Sequence, residues 1–237
     1  MNTHFQRLQS QFDHAAGSYD LLTTMNPGYQ RDLDRSAQGM KLGPAPRILD
    51  LCCGTGKSTR ALERAYPGST LVALDASEAM LQEAAAKPWR VPVRFVQGDA
   101  SDPASAGVEG PFHGIFMAYG LRNLVERDAC LQRLYSLLAP GGVLCIHDYS
   151  LAPKLGARLR WNAVCYGIII PSGALVSGSS EIYRYLHRSV LDFDRIDRLR
   201  QRVERAGYRE VRVEGTSGWQ RGIVHSLYAI KGERGNG

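Results

Sequence analysis

Arg47 to Thr59 reads RILDLCCGTGKST, an apolar run that reaches an acid, Asp50, and opens into a turn carrying Gly54 and Gly56. A second acid, Asp75, follows the next apolar run, TLVAL from Thr70 to Leu74, and a third, Asp99, sits in Gly98-Asp99-Ala100 after Val93 to Gln97. A carboxylate at the end of the second strand of an α/β nucleotide fold accepts hydrogen bonds from ribose hydroxyls. A carboxylate just before the glycine turn is placed to accept from the cationic amino group of an amino acid. The glycines supply a tight turn and a backbone that can approach a ligand closely.

Two phosphate-binding patterns come near and both fail. The dinucleotide fingerprint needs a third glycine three residues after Gly56, where Thr59 stands, and the P-loop needs a glycine where Leu51 stands. Ribose plus amino acid, without phosphates, describes S-adenosyl-L-methionine (SAM). Asp99 then reads either as an acceptor for the adenine amino group or as a loop carboxylate capping the next segment. Met80 reads as an adenine contact or as a core methionine. Cys52, Thr59, Ala76, Ala100, Ala118 and Tyr119 border these positions and complete the candidate cofactor contacts.

These residues need strands to deliver them. The run Ile48, Leu49, Leu51 lacks amphipathic alternation, as in a parallel strand buried on both faces. Ser58 or Thr59 is placed to cap a helix over Thr59 to Ala65, and Ser77 to cap one over Ser77 to Ala86. Val93 to Gln97, Gly114 to Ala118 and Gly142 to Tyr149 read as further strands. Ala129 to Leu138 reads as a helix stopped by Pro140-Gly141-Gly142. Glu210 to Val213 and Ile223 to Ile230 read as a closing antiparallel pair, after an arginine-rich helix over Val190 to Ala206. Upstream, helical spacing covers Thr3 to Tyr19 and Tyr29 to Lys41, and by spacing alone Tyr19 is a core aromatic.

The chain has 237 residues, enough for one α/β domain with a filled core. Five cysteines without a C-x-x-C spacing suit packed thiols in a reducing, cytoplasmic setting, and no metal site is expected. No apolar run approaches the ~18 residues of a membrane span, because Gly167, Pro171 and Gly173 interrupt the longest one. The net charge of +6 is carried almost wholly by arginines interleaved with acids, a solvated helix face rather than a nucleic-acid footprint. Attraction to an anionic membrane surface stays open.

Taken together, D-x-C-C-G-T-G with Asp75, Gly98-Asp99-Ala100 and Tyr119-Gly120-Leu121-Arg122-Asn123 resembles the class I SAM-dependent methyltransferases. GLRN, FDHAAGSYD and SSEIYRYLHRSV narrow the resemblance to the ubiquinone/menaquinone biosynthesis C-methyltransferases. It implies a Rossmann-like doubly wound α/β fold, mostly parallel, with an antiparallel C-terminal edge hairpin. A helical cap over residues 1–45 and a substrate-side insertion over 151–190 complete one domain of 1–237. It also implies a small-molecule quinol or aromatic acceptor and a homodimer. The exit Tyr119-Gly120-Leu121-Arg122-Asn123 lacks the Asn/Asp-Pro-Pro-aromatic segment of amino-DNA methyltransferases, which with the charge pattern argues against a nucleic-acid partner.

The resemblance places Arg122 and Asn123 beside the ring to be methylated, where the always-charged guanidinium would stabilise a phenolate. The residues alone also allow Arg122 a surface pair with Glu126. Tyr19 becomes a lid over the site, and Tyr183 and His187, at i and i+4, become candidates for the acceptor hydroxyl. His147 reads as a helper base or a structural histidine. The apolar stretch Leu155 to Val176 reads as core or as the wall of a greasy pocket. The chain departs from the family pattern at Ala118 and at the turn Gly218 to His225. The latter, near the expected substrate end, leaves room for two alternatives, and a third stands because the cofactor motif alone does not separate catalysis from SAM binding. These are a polyketide or other soluble aromatic acceptor, oxygen or nitrogen as the methylated atom, and a SAM-binding cyclase.

Overall fold

The structure is a computed structural model that describes residues 28–177 and 180–232. Tyr19, the helix expected over Thr3 to Tyr19 and the FDHAAGSYD motif lie outside the described residues.

Seven strands form one sheet in the order β3-β2-β1-β4-β5-β7-β6. They are β1 (Arg47–Leu51), β2 (Thr70–Asp75), β3 (Val93–Gln97), β4 (Phe112–Ala118), β5 (Leu138–Tyr149), β6 (Arg209–Gly215) and β7 (Val224–Ile230). The first five run parallel; β7 is antiparallel to β5, and β6 antiparallel to β7. The closing pair is therefore inserted in reverse order, with β6 at the outer edge. Side chains of the central strands alternate between two cores. Ile48, Phe116 and Cys145 face one; Leu49, Ile115 and Leu144 face the other.

The helices are α1 (Tyr29–Gly39), α2 (Lys57–Ala65), α3 (Glu78–Ala85), α4 (Arg127–Leu137), α5 (Leu155–Val164), α6 (Ile170–Ser177), α7 (Glu181–Asp192) and α8 (Ile196–Arg205). A π-type turn, Cys165–Ile169, joins α5 to α6. The strand order turns back between β1 and β4, whose carboxyl ends therefore border the crevice expected at such a switch point.

Three local expectations are corrected, the first being the single helix expected over Val190 to Ala206: α7 carries Val190 and ends at Asp192, and α8 begins only at Ile196. Neither Ser58 nor Thr59 caps α2; Gly56 occupies the cap position at φ 87° without a side-chain bond. Both hydroxyls instead donate to Asp50, at 2.8 and 2.6 Å, because a buried carboxylate loses more without donors than a helix end does. The fifth strand begins at Leu138 rather than Gly142. Pro140-Gly141-Gly142 stops α4 and then forms a bulged strand entry. Gly141, at φ 74°, donates its N–H to Lys231 O, and the Lys231 N–H returns to Gly142 O.

A candidate cofactor and acceptor site

A cavity opens at the switch point, lined by the turn after β1 (Cys52 to Thr55), the exit of β4 (Tyr119, Gly120, Arg122, Asn123, Leu124) and Asp75 to Ser77 after β2. Met80, Ala100 and Ala118 contribute from α3 and two strand exits, and Tyr29 and Leu33 from the upper end of α1. Of the candidate cofactor contacts, Cys52, Gly54, Asp75, Ala76, Met80, Ala100, Ala118 and Tyr119 line it. Asp50, Gly56, Thr59 and Asp99 stand behind that lining.

The Asp75 carboxylate is held by two backbone donors, Gly54 N–H at 2.8 Å and Ser77 N–H at 2.9 Å. Ser77 also caps α3, accepting from Met80 N–H at 3.2 Å, as its position in the sequence suggests. Asp50 is fully buried, and its Oδ1 has no hydrogen-bond partner among the described residues. Burial pushes its pKa up to about 7; Asp75 adds to the rise, and the hydroxyls of Thr59 and Ser58 oppose it. Gly54 adopts φ 54°, and a Cβ placed there meets nothing within 4 Å, so its backbone faces open cavity. An orphaned buried carboxylate oxygen, a pinned second carboxylate and a bare backbone turn fit a cationic, ribose-bearing ligand. Asp99 is engaged locally, its Oδ1 accepting from Ser101 N–H at 2.7 Å, as a capping carboxylate does.

On the acceptor side Arg122 is buried, and its partner is not Glu126. Its Nη1 donates to Asp148 Oδ1 at 2.8 Å and to the Tyr119 carbonyl at 2.7 Å. The guanidinium lies 5.4 Å from the centre of the Tyr149 ring. Asn123 is bridged to α7 by Tyr185, whose hydroxyl donates to Asn123 Oδ1 at 3.3 Å.

Tyr183 and His187 are not brought to the cavity lining. Tyr183 packs against Gly173 of α6, and His187 pairs with Asn162 at 2.9 Å beside Trp161 and Tyr166. Burial lowers the His187 pKa. The helix turns the face carrying Tyr185 toward the GLRN segment, and the i, i+4 pair toward its neighbours in the insertion. Tyr29, Leu33, Lys57 and Ser77 also line the cavity, although the sequence reading did not select them as ligand contacts. The signal for the first two was the apolar face Tyr29, Leu33, Ala37, whose upper end falls at the strand exits.

His147, the second reading of which was structural, is fully buried below the site. Its Nε2 lies 3.0 Å from the Tyr119 hydroxyl, and its Nδ1 2.9 Å from both Ser36 Oγ and Ser226 Oγ. Burial pulls its pKa down to about 3, with His225 adding to the effect, so the ring is neutral and unsuited to storing a proton.

Comparison with known proteins agrees with this architecture. The model of the ubiE/COQ5 methyltransferase family matches residues 1–231. The demethylmenaquinone methyltransferase of Thermus thermophilus is 34% identical over 201 residues, 83% of this chain and 90% of that protein. The ubiquinone/menaquinone biosynthesis C-methyltransferase UbiE of Methylobacterium nodulans is 31% identical, over 94% of this chain and 91% of its own. Among solved structures, the [4+2]-cyclase SpnF superposes with a TM-score of 0.68 at 16% identity, covering 96% of each chain, a likeness of fold alone. With the match spanning nearly the whole chain, the protein belongs to the ubiE/COQ5 methyltransferase family and is a SAM-dependent methyltransferase.

Proposed function

We propose that the chain methylates a ring carbon of a hydroquinone, of the polyprenyl kind used in quinone biosynthesis. The observation that carries this reading is Arg122. It is a buried guanidinium at the wall of the cofactor cavity, oriented by Asp148 and the Tyr119 carbonyl, with the Tyr149 ring centre 5.4 Å away. When bound, SAM supplies an electrophilic methyl group on a sulfonium centre. Asp75 would take the ribose hydroxyls, Asp50, from behind the lining, would offer its orphaned oxygen toward the amino group, and Met80 and Ala100 would border the adenine. Arg122 would favour the phenolate form of the acceptor, reached by loss of the hydroxyl proton to solvent. The adjacent ring carbon would then bond the methyl carbon as the S–CH3 bond breaks, leaving S-adenosylhomocysteine. Release of the ring C–H proton would restore the aromatic ring, with the aromatic walls positioning it. Tyr185, through Asn123, closes the acceptor side. The named relatives act on menaquinone and ubiquinone precursors, which supports the same acceptor class here.

The insertion carries a second part of this reading, contact with a membrane surface. Leu155, Leu159, Tyr166, Ile168 and Leu175 are exposed, Leu175 to 87%. Lys154, Arg158 and Arg160 accompany them, and there is no Asp or Glu between Asp148 and Glu181. Exposed apolar side chains whose segment carries cations and no acid suit an anionic bilayer that holds a greasy acceptor. Among the described residues no helix is long and apolar enough to cross a membrane. A cytoplasmic setting rests on the five unpaired cysteines and a homodimer on family resemblance, and the native mass in solution tests the dimer.

The deciding experiment supplies methyl-labelled SAM with demethylmenaquinol-type and ubiquinol-precursor quinols beside a panel of soluble phenols. Label on the quinol ring carbon is expected. Label on oxygen or nitrogen, or only on soluble phenols, would overturn the acceptor assignment. A transformed acceptor without label would favour the cyclase alternative.

A further inference from the structure

Among the described residues, Tyr119 is the one aromatic residue of the cavity whose backbone is left-handed, at φ 56°. That region is strained for a bulky side chain and persists only where the surroundings enforce it. Four contacts do so. The Tyr119 N–H donates to His147 O at 2.7 Å, and its hydroxyl meets His147 Nε2 at 3.0 Å. Its ring stacks on Tyr29, 5.3 Å between centres and 16° between planes. Its carbonyl accepts from Arg122 Nη1 at 2.7 Å. The same residue thus presents a ring to the cavity and a carbonyl to the guanidinium.

His147 is itself fixed from below. Ser226 lies directly across from it in the β5–β7 register, and Ser36 reaches it from α1; their hydroxyls are 2.6 Å apart. Hydroxyls both donate and accept, so either tautomer of a neutral imidazole is satisfied. The neighbouring Asp148 projects to the opposite face of the sheet, where it holds Arg122. Two consecutive residues of β5 therefore fix, from the two faces, the aromatic wall and the cation of one cavity.

We propose that His147 is a positioning residue for methyl transfer: by anchoring the Tyr119 hydroxyl it sets the aromatic wall of the cavity and, through the Tyr119 carbonyl, the Arg122 guanidinium. The proposal rests on the methyl-transfer reading above and extends it to a residue that touches neither acceptor nor donor. No proton is stored on the ring; its contribution is geometry, and small misplacements of reacting groups are costly.

The test compares Tyr119→Phe, His147→Gln and His147→Phe with the parent chain for kcat, acceptor KM, SAM affinity and melting temperature. Tyr119→Phe keeps the ring and loses only the anchor. Its kcat is expected to fall about tenfold or more, the loss associated with misplaced reacting groups, with SAM affinity within about twofold. His147→Gln, which can still bond the hydroxyl, is expected to retain more turnover than His147→Phe. Nitrogen NMR of histidine-labelled protein, without donor or acceptor, supplies a separate reading: the His147 Nε2 frequency is expected to move in Tyr119→Phe. Parental kcat and KM in Tyr119→Phe, equal losses in the two His147 variants, or an unmoved Nε2 frequency would each overturn the positioning role. Absence of methyl transfer by the parent chain, with the frequency shift present, would instead overturn the methyl-transfer reading.

Discussion

Arg122 Nη1 and Asp148 Oδ1 lie 2.8 Å apart with both side chains buried, at 7% and 0% exposure. The pair joins the segment after β4 to the end of β5, and the Arg122 N–H reinforces it from the backbone at 3.3 Å from Asp148 Oδ2. Removing one member of a buried pair leaves the other charge uncompensated.

Asp148→Ala is accordingly expected to cost about 3–5 kcal/mol of stability, the range for a broken buried ion pair. Arg122→Lys is expected to lower turnover more than SAM affinity, because Nη1 at the far end of the guanidinium meets both Asp148 and the Tyr119 carbonyl, and a compact ammonium lacks the planar, delocalised charge that lies 5.4 Å from the Tyr149 ring centre. Denaturant midpoints check the first expectation, and paired kcat and Kd measurements the second. An Arg122→Lys protein with parental turnover would remove the guanidinium from the acceptor side.

Asp50 gives a prediction with a sign. Its folded pKa of about 7 lies above the ordinary 3.8, so the neutral form is favoured in the folded chain. This contribution to stability is present at acid pH and is lost as pH rises from about 4 to about 7. An ammonium group beside Oδ1 favours the carboxylate, so SAM affinity is expected to tighten as pH rises toward 7, by up to about tenfold per unit. It should weaken again above about pH 8, where an α-amino group loses its charge. Calorimetric titration across that range reads both limbs, and Asp50→Asn should abolish the acid one. Affinity flat between pH 5.5 and 7 would separate Asp50 from the amino group.

Gly120 marks where the two cavity loops meet. A Cβ there would lie 2.5 Å from Cys52 Sγ and 2.9 Å from Cys52 Cβ, and Cys52 is already left-handed at φ 57°. Gly120→Ala is therefore expected to displace the glycine turn and weaken SAM binding about tenfold or more, as overpacking forces backbone shifts. Cys52→Gly removes both overlapping atoms and suits the left-handed backbone. The double variant should recover affinity that the single one loses. Failure of that rescue would mean that the clash is not what excludes a side chain at position 120.

Much of this was readable before the structure because of how parallel sheets are built. Strands buried on both faces read as plain apolar runs, and β1, β2 and β4 each deliver a chemically distinctive residue at their carboxyl ends. Asp75 and the Ser77 cap were legible for that reason. What escaped depends on long-range partners or on rotational phase. Arg122 has an acid four residues away, yet it turns to one 26 residues away that the sheet brings beneath it. In SSEIYRYLHRSV the i, i+4 rule groups Tyr183 with His187 but does not say which face meets the site, and it is Tyr185 that bonds Asn123. Ser58 and Thr59 sit where caps belong, and only the depth of Asp50 diverts them.

The exposed apolar face of the insertion yields the last prediction. Leu155, Leu159 and Leu175 are 73%, 59% and 87% exposed, so replacing them with Asp should change folding stability by less than about 0.5 kcal/mol. On an anionic bilayer the same side chains would each contribute up to about 1.5–3 kcal/mol when buried, and each nearby cation about 1 kcal/mol. Co-sedimentation with phosphatidylglycerol vesicles is expected to retain the parent chain and lose the triple variant. Salt should weaken the binding, since surface charges are screened within about 10 Å at 0.1 M. Arg158→Glu with Arg160→Glu should act in the same direction through charge alone. Turnover separates docking from chemistry: the triple variant should keep its rate on a short-chain quinol in solution and lose it on a polyprenyl quinol held in vesicles. If both rates fell together, these leucines would belong to the fold of the acceptor site rather than to a membrane contact. If neither fell, the acceptor would reach the cavity without this face.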